Sequence, residues 1–191
     1  TTTLLKTGPG TAILDATNTY TGTTTINAGS LQINQPGAIG GSQVITGGTS
    51  NASLVLADSV TAGSGKTITI AGGGASSFFG ALSTAGSSTW QGNVIIGAAT
   101  GSRIGTLGSG TLTVTGNIGE TTPSELVLRP NTGGTILLSG NNTYTGGTSI
   151  VTGRSKLEAP PPSDPAASIS SLQPPSHPTE PPREPSPTTS S

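Results

Sequence analysis

Residues 10–29, GTAILDATNTYTGTTTINAG, recur in the same chain as residues 134–153, GTILLSGNNTYTGGTSIVTG. The two stretches align without a gap at an offset of 124 positions, and 11 of the 20 aligned positions are identical. Repeated units usually stack into one elongated architecture. The repeat therefore favours a scaffold or an extended surface over a single active site.

The composition predicts short strands joined by tight turns. Of the 191 residues, 30 are Gly and 34 are Thr, whereas Trp, Tyr and Phe together number only five. Thr favours extended backbone and Gly supplies turns. Because few large side chains are available to fill a wide interior, we expect a thin core of Leu, Ile, Val and Ala.

Charge and Cys content exclude several classes of function. The formal net charge is −1, and the chain has no Cys and a single His. The absence of a basic stripe argues against binding of nucleic acid. One His without Cys excludes a structural zinc site or a serine triad within the chain. We therefore expect no cofactor, no metal ion and no nucleic-acid partner.

Short runs in residues 1–158 alternate between apolar and polar side chains. The apolar pairs are Leu31 and Ile33, Leu54 and Leu56, Ile68 and Ile70, Leu112 and Val114, and Leu126 and Leu128. Each run predicts a strand with one buried face. Residues 80–90 are the least regular part, and no element is predicted there.

Two architectures fit short alternating strands: an antiparallel sandwich and a parallel β-solenoid. Hairpins of a sandwich are often marked by Asn-Gly or Asp-Gly pairs, and the chain has neither. The repeat and the Gly-rich bends favour an all-β fold, a right-handed parallel β-helix (β-solenoid) over residues 1–158. Residues 159–191 hold 11 of the 15 prolines, which predicts a disordered Pro/Ser-rich tail.

Residues 4–34 resemble the autotransporter-associated β-strand repeat, and the second copy resembles it from Gly134 to Gly153. The matching positions are Leu4, Lys6, Gly8, Gly10, Thr11, Leu14, Asn18, Thr19, Tyr20, Thr21, Gly22, Thr24, Ile26, Gly29 and Leu31. The family consists of long right-handed β-helices exported by bacteria, often as passengers of type V secretion.

The resemblance implies a secreted or surface-displayed bacterial protein. Its expected partners are glycans or proteins of a host, a matrix or a cell surface. Contact with the outer membrane is expected only through a barrel or anchor that is absent from this chain. The implied function is that of a structural segment, either an adhesin stalk or a module for passenger export and folding.

The NTYTG motif is interpreted as a structural corner rather than a ligand site. We expect its Asn and Gly to adopt left-handed backbone, its Thr hydroxyls to bond local backbone and its Tyr to cover the corner. The motif residues are Asn18, Thr19, Tyr20, Thr21, Gly22, Asn142, Thr143, Tyr144, Thr145 and Gly146.

A polysaccharide-binding or polysaccharide-degrading β-helix is the alternative function. An enzyme of that kind needs acids and a basic residue together on adjacent coils, and the candidates are Asp58, Lys66 and Arg103. Glu120 and Glu125 flank a turn and form a second candidate pair, for which solvated surface is the simpler interpretation. We expect no enzymatic activity and no catalytic residues.

The aromatic residues Trp90, Phe78 and Phe79 are predicted to fill an irregular coil or a cap rather than to form an exposed contact surface. The single His, His177, lies in the predicted tail.

Overall fold

The computed structural model describes residues 1–46, 51–75, 80–97, 101–151 and 154–157, the last range as backbone only. The described residues form 18 strands in three parallel sheets. The predicted tail of residues 159–191, Phe78, Phe79 and His177 lie outside the described residues.

Consecutive strands belong to different sheets. Among the described residues, the four central coils form a strand in each of the three sheets in turn, whereas the first two coils and the last coil form strands in only two of them. A six-stranded sheet consists of β1 (Leu4–Lys6), β3 (Thr24–Ile26), β5 (Gln43–Thr46), β8 (Thr67–Ile70), β11 (Asn93–Ile96) and β14 (Ile118–Glu120). A seven-stranded sheet consists of β2 (Thr11–Leu14), β4 (Gly29–Ile33), β6 (Ala52–Leu56), β9 (Leu82–Thr84), β12 (Ser102–Thr106), β15 (Leu126–Arg129) and β17 (Thr148–Ile150). A five-stranded sheet consists of β7 (Thr61–Ala62), β10 (Ser88–Trp90), β13 (Thr111–Val114), β16 (Thr135–Leu138) and β18 (Arg154–Leu157).

This arrangement confirms the predicted parallel β-solenoid and excludes the antiparallel sandwich. Every described strand pair is parallel, as in the pairing of Val94 with Ile68 on one side and Ile118 on the other. Neighbouring strands of a sheet lie about 4.8 Å apart. The five predicted alternating runs all form strands, in β4, β6, β8, β13 and β15.

The core consists of files of apolar side chains that run along the solenoid axis. Leu31, Leu54, Leu82 and Ile104 follow one another in the seven-stranded sheet, and each is at most 1 % exposed. Because the register is maintained, inward side chains of neighbouring coils stack on one another. Leu112 is fully buried between Ser88 and Ile136 in the five-stranded sheet.

Trp90 fills the interior, as the sequence predicted. It pairs with Ala62 and Val114 and is fully buried. A Cβ atom on Gly63 would lie 2.8 Å from two carbons of the indole ring, so the absence of a side chain at Gly63 makes room for the ring. The small residues Ala62 and Gly63 therefore offset the volume of the single Trp.

Residues 80–90, for which the sequence predicts no element, contain β9 and β10. The apolar alternation is hidden there because two inward positions are polar. The hydroxyl oxygen of Thr84 lies within hydrogen-bond distance of the carbonyls of Gly86 (2.9 Å) and Leu56 (3.2 Å), either of which can accept its single proton, and the hydroxyl of Ser88 donates to the carbonyl of Ala57. Hydrogen bonds to the backbone allow these hydroxyls to be buried at low cost.

The substitution Leu112→Ala should lower the free energy of unfolding by about 2–5 kcal/mol, because it opens a cavity in a file that cannot collapse laterally. Urea denaturation followed by circular dichroism measures this value. The matched control is Thr115→Ala, which changes an exposed residue of the same coil and should alter stability by less than about 0.5 kcal/mol. Equal effects of the two substitutions would contradict the burial of Leu112.

Candidate functional site

The first NTYTG copy, residues 18–22, takes the place of a strand. It follows β2 of the seven-stranded sheet and precedes β3 of the six-stranded sheet, so it occupies the side where later coils place the five-stranded sheet. Asn18 donates its backbone N–H to the carbonyl of Gly37 (3.0 Å) and its side-chain Nδ2 to that of Ala38 (2.8 Å). Gly22 donates its N–H to the carbonyl of Thr2 (2.9 Å).

The second copy, residues 142–146, takes the place of a strand on a different side. It follows β16 of the five-stranded sheet and precedes β17 of the seven-stranded sheet, so it lies where the six-stranded sheet would continue. Oδ1 of Asn142 accepts the N–H of Ile118 (3.0 Å), and the N–H of Thr143 donates to the carbonyl of Ile118 (2.8 Å). An amide side chain thus stands in for a backbone carbonyl at the edge of β14.

The second copy therefore lies one side further around the solenoid than the first. Each copy has the same local order: a strand, the motif across the next side, and a strand on the side after that. The motif is a unit that spans one side of a coil, and it is not tied to a particular sheet.

Within each copy the side chains alternate as they do in a strand. Asn142 and Tyr144 are 3 % exposed, whereas Thr143 and Thr145 are exposed. The Tyr hydroxyls lie 2.6 Å from Oγ1 of the Thr four residues later, in Tyr20 with Thr24 and in Tyr144 with Thr148. These bonds fix the corner between the motif and the strand that follows.

The left-handed backbone expected for the motif is not found. Among the described residues positive φ angles occur at Ser59 and at nine glycines, and neither the Asn nor the Gly of either copy is among them. The expectation was wrong because the motif is extended and not tightly turned. The Asn residues act through their side-chain amides and not through an unusual backbone conformation.

Glu120 joins the second motif to the preceding coil. Its Oε1 accepts the backbone N–H (2.6 Å) and the hydroxyl (2.6 Å) of Thr145, and its Oε2 accepts the N–H of Ser124 (2.8 Å). Partial burial raises the pKa of Glu120, but hydrogen bonds from Thr145, Ser124 and Gly146 lower it, and the net pKa lies below its ordinary value of 4.5. Glu120 is a bridge between coils, and Glu125 is exposed at the far end of the turn.

Lys6 has a similar bridging role in the first repeat. It is 9 % exposed, and its ammonium group donates to the carbonyls of Thr7 (3.2 Å), Gly8 (2.8 Å) and Ala28 (2.9 Å). Ala28 lies in the next coil, so the side chain joins two coils at a corner. Lys6 is one of the positions that resemble the repeat, but its bridging role is not evident from the sequence, and Pro130 stands at the equivalent position of the second copy.

The candidates for polysaccharide chemistry are not brought together. Asp58 lies at the corner after β6 and accepts the N–H of Ser87 (2.7 Å). Lys66 lies at the corner before β8 and donates to the carbonyl of Gly41 (2.9 Å). Arg103 lies in β12 of the seven-stranded sheet. Among the described residues, no cluster of three or more His, Cys, Asp or Glu is placed to hold a metal ion.

A ladder of asparagines at one corner was not predicted. Oδ1 of Asn93 accepts the N–H of Asn117 (3.1 Å), and Oδ1 of Asn117 accepts the N–H of Asn141 (2.8 Å), each pair being 24 residues apart. A Gly precedes each Asn, and a Cβ atom on Gly116 would lie 1.9 Å from the carbonyl oxygen of Gly92. The recurrence of Gly-Asn at 24-residue intervals is the sequence signal that would have revealed both the ladder and the coil length.

Comparison with known families agrees with this geometry. The parallel coils define the chain as a β-solenoid. The NTYTG motif, which spans one side of a coil, occurs in it twice. The passenger-associated-transport-repeat family matches residues 4–33 and 132–154, the two stretches whose resemblance to this kind of repeat was noted in the sequence. No curated protein and no solved structure matches the chain. In the parts of the chain that the structure describes, no helix is long and apolar enough to cross a membrane.

The substitution Asn142→Ala should lower the free energy of unfolding by about 1–3 kcal/mol, because it leaves the N–H of Ile118 without an acceptor in a buried position. Urea denaturation measures the change. Asn141→Ala is the control, because Asn141 is exposed and the backbone N–H through which it joins the ladder remains. A loss no greater for Asn142→Ala than for Asn141→Ala would contradict the role assigned to the amide.

Glu120 should make the solenoid less stable in acid. Since its pKa is lower in the folded protein than in the unfolded chain, its stabilising contribution is complete above the ordinary value of 4.5 and is lost as the pH falls through the folded value. We expect Glu120→Gln to remove that part of the pH dependence. Chemical denaturation of both proteins between pH 7 and pH 3 measures it, and parallel pH profiles would show that Glu120 makes no such contribution.

Proposed function

We propose that this chain is a structural segment of an autotransporter passenger that is secreted or displayed on the bacterial surface. In this proposal the coils form a stalk, and the repeats act as modules for folding during export. The observation that carries the proposal is the integration of two passenger-transport repeats into one continuous parallel solenoid.

Parallel coils suit export because each completed coil offers a template for the next. The exposed N–H and carbonyl groups of the last strand in each sheet can bond the incoming chain as it emerges. The NTYTG motif supports this growth in a particular way. Asn142 and Thr143 bond the edge of β14 through one amide side chain and one backbone N–H, so the coil can close before a regular strand has formed on that side.

Several polar side chains of the repeats form hydrogen bonds within the protein. Asn18 bonds the carbonyl of Ala38, Tyr144 bonds Thr148, and Lys6 bonds three carbonyls. Side chains used in this way stabilise the coil, and this favours a folding module over a ligand-binding motif. The separation of Asp58, Lys66 and Arg103 among different elements likewise supports a structural role over a catalytic one.

The test places the chain as passenger between an export signal and an outer-membrane translocator in a Gram-negative host. We expect the wild-type chain to reach the surface and to become resistant to protease there. The double substitution Tyr20→Phe and Tyr144→Phe should lower the folded surface fraction, because it removes both Tyr–Thr hydrogen bonds without removing the rings. Protease accessibility on intact cells and total expression by immunoblot give the two quantities.

The exposed substitution Asn141→Ala serves as the control in the same assay and should leave surface delivery unchanged. Retention of the wild-type chain inside the cell would contradict a passenger role. Normal delivery and normal protease resistance of the double variant would contradict the proposed folding function of the motif. A stalk without its own folding function would then be the better description.

A further inference from the structure

A cleft interrupts the stacking of the coils beside β7. Residues 35–38 of the second coil form a turn, which is closed by a hydrogen bond from the N–H of Ala38 to the carbonyl of Gln35 (3.2 Å). Pro36, the second residue of this turn, has no N–H to donate to a neighbouring strand. The five-stranded sheet therefore begins only at β7, and the turn and β7 together line a cleft of about 310 Å³.

The edge of β7 on the side of this turn has no partner strand. The carbonyl of Ala62 accepts the N–H of Gln91 (2.7 Å), which follows β10. Because successive carbonyls of a strand point in opposite directions, the carbonyl of Thr61 points away from β10. In the described parts of the chain, no backbone hydrogen bond joins residues 36–39 to residues 61–64. Polar backbone of β7 is thus available to a ligand in the cleft.

Four polar side chains line the cleft, those of Thr61, Ser64, Lys66 and Gln91. The ammonium group of Lys66 donates to the carbonyl of Gly41 (2.9 Å), which leaves its other protons for a ligand. Thr61, Ser64 and Gln91 are exposed, and among the residues that the structure describes their side chains form no hydrogen bond. Two hydroxyls, an amide and an ammonium group therefore border the same space.

Lys66 gives the cleft a positive charge that no lining acid balances. None of the residues that line the cleft is Asp or Glu. The nearest acid in the sequence, Asp58, lies at the opposite end of β7, where its carboxylate accepts the N–H of Ser87 (2.7 Å). The electrostatics of the cleft therefore favour an anionic ligand.

Size and chemistry together indicate the class of anion. A volume of about 310 Å³ equals about ten water molecules, which is close to the size of one sugar ring. β7 is two residues long, so its edge is too short to bind an extended peptide. The hydroxyls and the amide both donate and accept, as sugar hydroxyls do, and Pro36 and Ile39 offer apolar contact to ring CH groups. An inorganic anion would leave these acceptors and apolar groups unused.

We propose that this cleft binds a sugar acid, with one hexuronic acid ring as the unit that it recognises. Lys66 pairs with the carboxylate. Thr61, Ser64 and Gln91 bond the ring hydroxyls. The proposal does not depend on export or on the NTYTG motif, and it assigns no catalysis to the cleft.

Titration of the full-length chain with sodium glucuronate, at neutral pH and constant ionic strength, tests the proposal. Amide NMR spectra should show saturable shifts confined to residues 36–39, residues 61–66 and Gln91. Because one ring buries little area, we expect a dissociation constant of about 1 mM. Glucose lacks the carboxylate and acetate lacks the hydroxyls, so each should bind at least about tenfold more weakly.

Three variants and one control locate the binding. Lys66→Gln should weaken glucuronate binding at least about tenfold, because it removes the charge. It also alters the bond to the carbonyl of Gly41, so the exposed substitutions Ser64→Ala and Gln91→Ala are added, and each should weaken binding by about three- to tenfold. Arg103→Gln removes the same charge from the seven-stranded sheet and should leave binding unchanged. Circular dichroism melts of every variant separate loss of the cleft from loss of the fold.

Absence of saturable shifts at about 50 mM glucuronate would overturn the proposal. Equal affinity for glucose or for acetate would also overturn it, because the cleft would then be a site for neutral sugars or for simple carboxylates. Equal weakening by Arg103→Gln would show that the overall charge of the protein, and not the cleft, attracts glucuronate.

Discussion

The in-register stacking of one coil on the next is the constraint on which the whole structure depends. Every strand of the three sheets bonds to its neighbours along the axis, so inward residues must recur at the same height in each coil. Coil length is nevertheless variable, since bonded residues are 20 positions apart at Asn18, 24 at Asn93 and 28 at Thr84. The register of the described strands is maintained despite these differences in coil length.

The NTYTG motif satisfies the same constraint without forming a regular strand. Asn142 supplies an acceptor to Ile118 from its side chain, while Tyr144 and Asn142 occupy inward positions of the coil. Glu120 then attaches the outward side of the motif through Thr145. The motif can thus replace a strand on more than one side, and its two copies lie on different sides of one solenoid.

Much of the fold could be predicted from the sequence, because a buried file of Leu, Ile and Val leaves a period of two in each strand. Leu54 with Leu56 and Ile68 with Ile70 show that signal directly. Residues 80–90 do not show this period of two, because the inward residues Thr84 and Ser88 are polar. Their hydrogen-bond partners are distant in sequence. Burial of Trp90 could be predicted from its size, but the space beside Gly63 could not.

The candidate site was predicted only as a recurring motif. The rotation between its copies depends on the length of every intervening coil, and the 124-residue offset alone does not contain that information. The bridging roles of Lys6 and Glu120 depend on carbonyl and N–H groups that come together only when coils stack. The recurrence of Gly-Asn every 24 residues was present in the sequence and gives the coil length over that region.

The most direct test of this account is disulfide formation in the double variant Gly119→Cys and Thr143→Cys, since the chain has no native Cys. A Cβ atom on Gly119 would lie 3.5 Å from Oγ1 of Thr143, and residues paired across neighbouring strands, about 4.8 Å apart, are within the range of a disulfide. The account predicts rapid, nearly complete cross-linking under mild oxidation, measured by mass spectrometry. It predicts little cross-linking in the double variant Gly119→Cys and Thr145→Cys, because these two residues form a diagonal pair about 8 Å apart. Equal cross-linking of both pairs, or none in the first, would show that the second motif does not continue the six-stranded sheet.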